Sequence, residues 1–249
     1  MLGKSAVFRF YEELNDFLTT RNKKKELQYH FFGSPKIKDA IESFGIPHTE
    51  VDMILVNGES VDYSYKLKDK DRVAVYPKFE TLDISMVSKL QHSPLRKIKF
   101  VIDVHLGKLA RYLRLIGFDS LYHNKLEDKK IVELSNKESR IILTRDKGIL
   151  KYNHVTHGYY LRSDNPKEQL EEVIKRFDLK NHVDIFSRCM ECNGLLKKVS
   201  KKTIEKDLLE GTKNHFNDFY KCETCSKIYW KGSHYESMML FIESVLKEC

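Results

Sequence analysis

The chain has 249 residues, more than the roughly 100 to 150 of a typical single domain, so two or three compact units are expected. Hydrophobic residues make up 41% of it, which argues against a disordered chain, and no apolar run approaches the ~18 residues needed to cross a bilayer. Six of the eight net positive charges fall between residues 97 and 188, and such a local excess is what a polyanion-binding surface requires. The start of the chain does not have the layout of a signal peptide, so a cytoplasmic protein without membrane contact is expected.

The N-terminal part has the pattern of a small β-grasp domain. Alternating apolar residues predict two strands, and Ser34-Pro35 predicts a helix with Ser34 as its cap, ending before Gly45. Two more strands flank the hairpin signal Asn57-Gly58. The predicted strands cover residues 6–10, 27–32, 54–56 and 71–76. This ββαββ order predicts a ubiquitin-like β-grasp domain over residues 1–79.

The end of this segment resembles the ubiquitin-like sulfur-carrier proteins. Residues 56–59 and 68–73 are similar to their late hairpin and last strand. Those carriers end in a Gly-Gly tail, whereas here the strand continues into Tyr76-Pro77-Lys78. Because that tail is missing here, a function as a sulfur-transfer accessory protein is not favoured. Detection of a thiocarboxylated C-terminus would support that function again. A binding or docking role remains, with a protein partner as its ligand.

After a predicted linker at residues 80–97, strands and helices alternate. Strands are predicted at residues 100–102, 118–122, 140–144 and 159–161, and helices at 106–116, 129–137 and 166–177. Repeated βα units imply a mostly parallel sheet with helices on both faces. We therefore predict an α/β domain over residues 98–186, followed by a separate C-terminal segment, residues 187–249.

Three carboxylates occupy positions where such a sheet binds ligands. Asp103 follows the first of these strands, Asp146 follows the third, and Asp128 precedes a predicted helix. Clustered carboxylates repel one another unless a cation lies among them, so these three predict a Mg²⁺ or Mn²⁺ site. As alternatives, Asp128 caps a helix and Asp146 is a turn residue. Asp164, in a strong helix-start signal, is interpreted as a cap.

Basic residues follow Asp103 at a spacing of three. Lys108, Arg111 and Arg114 would lie on adjoining parts of one helix face, opposite the leucines. A solvated charged face is the simple explanation. Because the stripe begins within two turns of Asp103, we favour contacts to a phosphate backbone or stabilisation of transition-state charge, with Lys108 and Arg111 also assisting catalysis. Arg145 joins the residues predicted to bind the phosphate backbone.

With these motifs in view, residues 98–249 resemble the Mut-seven C-terminal RNase family, a PIN-like nuclease fold with a zinc ribbon. The similarity lies in three segments: residues 100–103, residues 106–119 and residues 143–146. It implies metal-binding roles for Asp103 and Asp146, with Asp128 or the preceding Glu127 as the third acid. It also implies that Lys108, Arg111 and Arg114 are basic residues typical of the family. Asp119 matches the family as well, but the resemblance leaves its role open.

The cysteines are confined to the last 61 residues. Cys189 and Cys192 form one Cys-x-x-Cys pair, Cys222 and Cys225 form another, and 29 residues lie between the two pairs, with Cys249 left over. Four thiolates in two pairs satisfy tetrahedral Zn²⁺, so a structural zinc ribbon with an inserted helix at residues 199–210 is predicted. Redox chemistry is the disfavoured alternative.

Two functions from different classes compete. The first is a metal-dependent ribonuclease that uses Mg²⁺ or Mn²⁺ at the three acids. The second is a non-catalytic RNA-binding or ribosome-associated adaptor, in which the basic residues bind phosphate and the acids cap helices. The sequence favours the ribonuclease.

Overall fold

A computed structural model describes residues 3–77, 88–90 and 97–249. The predicted linker at residues 80–97 lies mostly outside the described residues. The chain divides into two compact units. The first comprises Met1–Arg96 and Asp128–Tyr160, and the second comprises Lys97–Glu127 and Leu161–Cys249.

The N-terminal elements form a β-grasp sheet. They are β1 (Lys4–Phe10), β2 (Glu26–Phe31), α1 (Ile37–Ser43), β3 (Val51–Val56), β4 (Glu59–Ser60) and β5 (Arg72–Pro77). The strand order is β2-β1-β5-β3-β4, in which β1 and β5 are parallel and the other pairs are antiparallel. Alternate residues of β1, including Phe8 and Phe10, are buried against Ala40 and Ile41 of α1. The predicted β-grasp order is confirmed, and the short strand β4 is an addition to the four predicted strands.

Helix α1 begins later than its sequence signal indicated. The predicted cap at Ser34 with Pro35 in the first turn is wrong, because the helix starts at Ile37. The backbone N–H of Leu67 donates to the Pro35 carbonyl, 3.0 Å away, and that of Ile37 donates to the Tyr65 carbonyl, 2.8 Å away. These bonds hold the residues before the helix in an extended conformation.

The next part of the chain alternates strands and helices as predicted. Its elements are β6 (Lys99–Ile102), α2 (Gly107–Leu115), β7 (Asp119–Tyr122), α3 (Asp128–Glu138), β8 (Ile141–Thr144), α4 (Lys147–Leu150), β9 (Gly158–Tyr160) and α5 (Pro166–Arg176). In the second unit β6 pairs with β7 in parallel, and in the first unit β8 pairs with β9 in parallel. All four residues of β8 and three of the four in β6 are buried, which is typical of parallel strands covered by helices.

The start of α5 differs in one residue from the prediction. Asn165, and not Asp164, is the N-cap, because its side-chain oxygen accepts the backbone N–H of Lys167 at 2.9 Å. Pro166 then occupies the first helical turn, where its missing N–H has no cost.

The C-terminal segment forms a three-stranded antiparallel ribbon followed by a helix. Its elements are β10 (Leu196–Val199), α6 (Lys201–Ile204), α7 (Glu210–His215), β11 (Phe219–Cys222), β12 (Ile228–Trp230) and α8 (Ser233–Glu248). The insertion predicted as one helix is two short helices with a 3-10 turn between them. Helix α8 was not predicted. None of the helices in the described part of the chain combines the length and apolar character needed to span a membrane.

Candidate active site and metal centre

The four predicted zinc ligands lie together. Ligand atoms of Cys189, Cys192, Cys222 and Cys225 are all within 4.8 Å of one another, the one such group among residues 3–77, 88–90 and 97–249. The Cys189 and Cys225 sulfurs are 3.6 Å apart, and those of Cys192 and Cys222 are 3.3 Å apart. Four sulfurs around Zn²⁺ at ~2.3 Å are separated by similar distances, so the donor set fits a structural zinc ion.

The environment of these thiols prepares one of them to bind metal. Burial alone would raise the pKa of Cys189, but the Tyr229 hydroxyl, 3.1 Å from its sulfur, and backbone N–H groups of the same knuckle outweigh it and lower the pKa to about 7. Burial raises the pKa of Cys192 to about 12. A cation is therefore needed to hold the Cys192 sulfur as a thiolate at neutral pH.

Arg114 attaches helix α2 to the first knuckle. Its side chain is only 3% exposed, and its Nη1 donates to the carbonyls of Met190 at 3.1 Å and Glu191 at 2.8 Å. Its Nε donates to the Ser120 carbonyl at 2.9 Å. Burial lowers the pKa of this guanidinium, while the neighbouring thiols oppose that shift. The predicted RNA contact by Arg114 does not match this buried position, because its donors are turned toward backbone carbonyls.

Replacing Arg114 by Met is expected to destabilise the second unit by about 2 to 4 kcal/mol, because one buried and two partly buried carbonyls lose their donor. Urea unfolding followed by the fluorescence of Trp230, the single tryptophan of the chain, measures the change. Arg111→Met is the matched control, since Arg111 is exposed on the same helix, and it should shift stability by no more than about 0.5 kcal/mol. Equal unfolding curves for the two variants would contradict the role of Arg114.

Asn193 supports the same junction and was not singled out in the sequence. Its Nδ2 donates to Asp119 Oδ1 at 2.8 Å, and its Oδ1 accepts the backbone N–H of Ser120 at 2.9 Å. Arg188 lies 3.7 Å from the other oxygen of Asp119. These contacts give Asp119 a part in joining β7 to the knuckle. The signal available in the sequence was the Asn193-Gly194 pair directly after Cys192, since Asn tolerates the positive φ of 70° found there.

The other predicted basic residues lie on the surface. Lys108 and Arg111 are exposed on α2 in the second unit, and Arg145 is exposed after β8 in the first unit. Arg111 Nη2 is 3.2 Å from Glu191 Oε1. Exposure leaves Lys108 and Arg111 accessible to a polyanion, although Arg111 shares its charge with this carboxylate.

Asp103 lies at the carboxyl end of β6 and is 4% exposed. It is the residue before a 3-10 helix, Val104–Leu106, but its side chain makes no capping hydrogen bond to that helix. A buried carboxylate is costly unless cations or hydrogen-bond donors compensate its charge. Its position therefore does not match a simple helix cap.

Asp128 and Asp146 belong to the first unit, and both are exposed. Asp128 is the first residue of α3. Asp146 is the N-cap of α4, with Oδ1 accepting the backbone N–H of Gly148 at 2.6 Å. The alternative predicted for Asp146 was a turn residue after a strand, and in the structure it is a helix cap. A carboxylate has two oxygens with several acceptor positions, so one capping bond does not occupy it fully.

Helical segments of the β-grasp domain contact the part of the chain that follows Asp146. Within the first unit, Glu50 Oε1 accepts the backbone N–H of Tyr160 at 2.7 Å, and Lys151 Nζ donates to the Glu42 carbonyl at 3.1 Å. Lys147 Nζ lies 4.8 Å from the ring centre of Phe17. The ubiquitin-like module is therefore attached to α4 and β9, the elements directly after this acid.

Parallel βα units, a β-grasp sheet and a ribbon with four clustered cysteines define an α/β protein with a ubiquitin-like module and a ribbon that carries a candidate metal site. Residues 98–242 match the family described as the Mut7-C RNAse domain, and residues 3–83 match the one described as Mut7-C ubiquitin. The chain belongs to the Mut7-C RNase family, as its sequence motifs indicated, and it is thereby a member of a nuclease family.

A human relative named "Exonuclease mut-7 homolog" is 37% identical to this chain over 106 residues. The matched region covers 40% of this chain and 12% of the human protein, so it spans a small part of that relative. No solved structure matches the chain.

Proposed function

We propose that this protein is a metal-dependent ribonuclease that hydrolyses phosphodiester bonds of RNA. The observation that carries the proposal is the buried carboxylate of Asp103 at the carboxyl end of β6, in a domain of a nuclease family. At that end of parallel strands, loops and helix starts converge, and ligands bind there. The relative named as an exonuclease supports the same class of reaction.

Asp103, Asp128 and Asp146 would hold Mg²⁺ or Mn²⁺ in this enzyme. Carboxylate oxygens are the preferred ligands of these hard cations, so the donor set fits them. A divalent cation bound there lowers the pKa of coordinated water and neutralises charge on the scissile phosphate. Asp103 is fixed by burial, and Asp146 is oriented by its bond to Gly148.

Positive side chains would bind the RNA backbone. Lys108 and Arg111 are exposed on the helix that follows Asp103, and Arg145 directly precedes Asp146. Guanidinium and ammonium groups near a reacting phosphate bind it and stabilise the charge that develops on its oxygens. Arg114 is left out of this set, because its donors join α2 to the knuckle.

Zn²⁺ in the ribbon would have a structural role. The ribbon core is small, with three buried apolar residues, Ile204, Leu208 and Phe219, at its centre. Such a core is too small to stabilise about 60 residues without a cross-link or a metal ion. The ion would also fix the knuckle whose carbonyls accept the bonds of Arg114.

The ubiquitin-like module would have a role within the chain. Its Glu50 would support the segment after Asp146 by accepting the backbone N–H of Tyr160. For a protein partner, the surface that the module offers is the edge strand β2, next to Phe32, which is 73% exposed. An edge strand presents unpaired backbone groups that a partner strand can bind.

Cleavage of RNA by the full-length, zinc-loaded protein is expected to depend on added Mn²⁺ or Mg²⁺. Labelled structured and single-stranded RNAs are incubated with no added ion, with Mn²⁺, with Mg²⁺ or with Ca²⁺ as a control, and the products are separated by size. RNA binding with no cleavage under any of these conditions would contradict the ribonuclease and establish the adaptor instead.

A further inference from the structure

The second unit contains a cavity of about 600 Å³ beside α2. Its walls come from α2, from the first zinc knuckle and from α8. Among the lining residues, the partly buried Tyr112, Met190, Met238 and Phe241 are called the floor, and the exposed Lys108 and Arg111 are called the rim. The cavity therefore combines aromatic surface with positive charge.

The aromatic part of the floor has the properties of a stacking platform. The rings of Tyr112 and Phe241 are 4.5 Å apart at a tilt of 35°, and each residue keeps part of its surface accessible. Bases of single-stranded nucleic acid stack on such aromatic side chains with little dependence on sequence. The thioethers of Met190 and Met238 add polarizable surface beside the rings.

The rim has a net positive charge. Lys108 and Arg111 are three residues apart on the exposed face of α2. Glu191 Oε1 lies 3.2 Å from Arg111 Nη2 and also 3.2 Å from Lys227 Nζ, so one carboxylate is shared between two cations. An anionic ligand matches the net positive charge of the rim better than an apolar peptide does.

We propose that this cavity binds one nucleotide of single-stranded RNA. The base packs against Tyr112 and Phe241, and the phosphate meets Lys108 and Arg111. A volume of about 600 Å³ lies within the range of about 300 to 1,000 Å³ typical of small-molecule pockets, which is room for one nucleotide. The proposal rests on the proposed function for RNA as the ligand. It adds a base-binding site on the helix that follows Asp103.

Two probes separate base binding from phosphate binding. Fluorescently labelled oligouridine of about 12 nucleotides and an abasic oligomer of the same length are titrated against the full chain carrying Asp103→Asn, with zinc bound and no other metal ion added. Phe241→Leu is expected to weaken binding of oligouridine about 5- to 100-fold and to leave binding of the abasic oligomer unchanged. Leu240→Ala, at an exposed neighbouring position outside the lining, is the control.

Two further variants change charge at exposed positions, one in the lining of the cavity and one beside it, where the fold tolerates substitution. Ser237→Glu is expected to weaken binding of both oligomers several-fold, because it adds a negative charge beside the phosphate. Glu191→Gln is expected to strengthen binding of both oligomers about 2- to 5-fold, since it releases Arg111 from its carboxylate. The opposite signs exclude misfolding as the common cause.

Unchanged binding of oligouridine by both Phe241→Leu and Ser237→Glu would overturn the nucleotide site, and this is the result that an apolar peptide occupant would give. Cleavage by the protein without substitutions is measured separately. Metal-dependent cleavage together with unchanged binding by these variants would support the proposed ribonuclease and contradict nucleotide binding in the cavity. Base-dependent binding without any cleavage would support nucleotide binding in the cavity, as part of an RNA adaptor.

Discussion

Replacing Asp103 by Asn is expected to lower the rate of RNA cleavage by about 100-fold or more while the protein stays folded. The substitution keeps the size of the side chain and removes the charge that a divalent cation requires. Because Asp103 is buried at the end of β6, water and flexible surface acids have little access to replace it. Single-turnover cleavage in saturating Mn²⁺ measures the rate, and far-ultraviolet circular dichroism checks the fold.

The matched control is Asp178→Asn. Asp178 lies in the same unit as Asp103, is exposed, and has a φ of 48°, a conformation that Asn adopts as readily as Asp. This variant should cleave RNA at the rate of the unaltered protein. RNA binding should change less than about threefold in both variants, since neither removes a positive charge. Cleavage by Asp103→Asn at the control rate would show that this carboxylate takes no part in the reaction.

Replacing Cys222 by Ser is expected to abolish zinc binding and unfold the ribbon. Cys222 is buried and its sulfur lies 3.3 Å from that of Cys192, so a three-sulfur site with a neutral hydroxyl would remain. In zinc-finger peptides the binding of structural zinc is worth about 10 to 16 kcal/mol, more than a core of this size contributes. The ordered ribbon is therefore expected to be lost together with the ion.

Metal content and Trp230 fluorescence give two independent measures of this loss. The unaltered protein should contain one equivalent of zinc in the ribbon, and Cys222→Ser should contain none, with the emission of Trp230 shifted toward that of an exposed indole. Cys249→Ser is the control, because Cys249 lies outside the four-cysteine group. A full equivalent of zinc in Cys222→Ser, with unchanged emission, would contradict the predicted ligand set.

The secondary structure was largely predictable from the sequence, because local patterns dominate it. The alternation of apolar residues in β1, the Asn57-Gly58 turn and the apolar spacing of α2 each predicted the observed element. The prediction for the start of α1 failed because of tertiary contacts. Residues 35 and 37 bond to a distant loop, and this outweighs the local preference of Ser34-Pro35. Helix α8 had no strong capping signal at its start, where the Gly232 position gives no side-chain cap.

The charged residues show the limit of spacing arguments. Lys108, Arg111 and Arg114 are three residues apart, but a helix turns about 300° in three residues, so each is displaced by about 60° from the one before. By Arg114 this drift has reached the side of α2 that packs against the first knuckle. Spacing placed the first two residues on the surface and could not show which elements would cover the third.

The sequence by itself determined the family, the order of the β-grasp elements, the four cysteines of the candidate metal site and the positions of the acids relative to strands and helices, because each is recorded in local spacing and residue type. The tertiary structure alone decided that Arg114 joins α2 to the knuckle and that Glu50 holds the segment after Asp146. It also decided that Tyr112 and Phe241, 129 residues apart in the chain, form one cavity floor. Contacts between distant segments depend on how whole elements pack, and local sequence patterns carry no record of that packing.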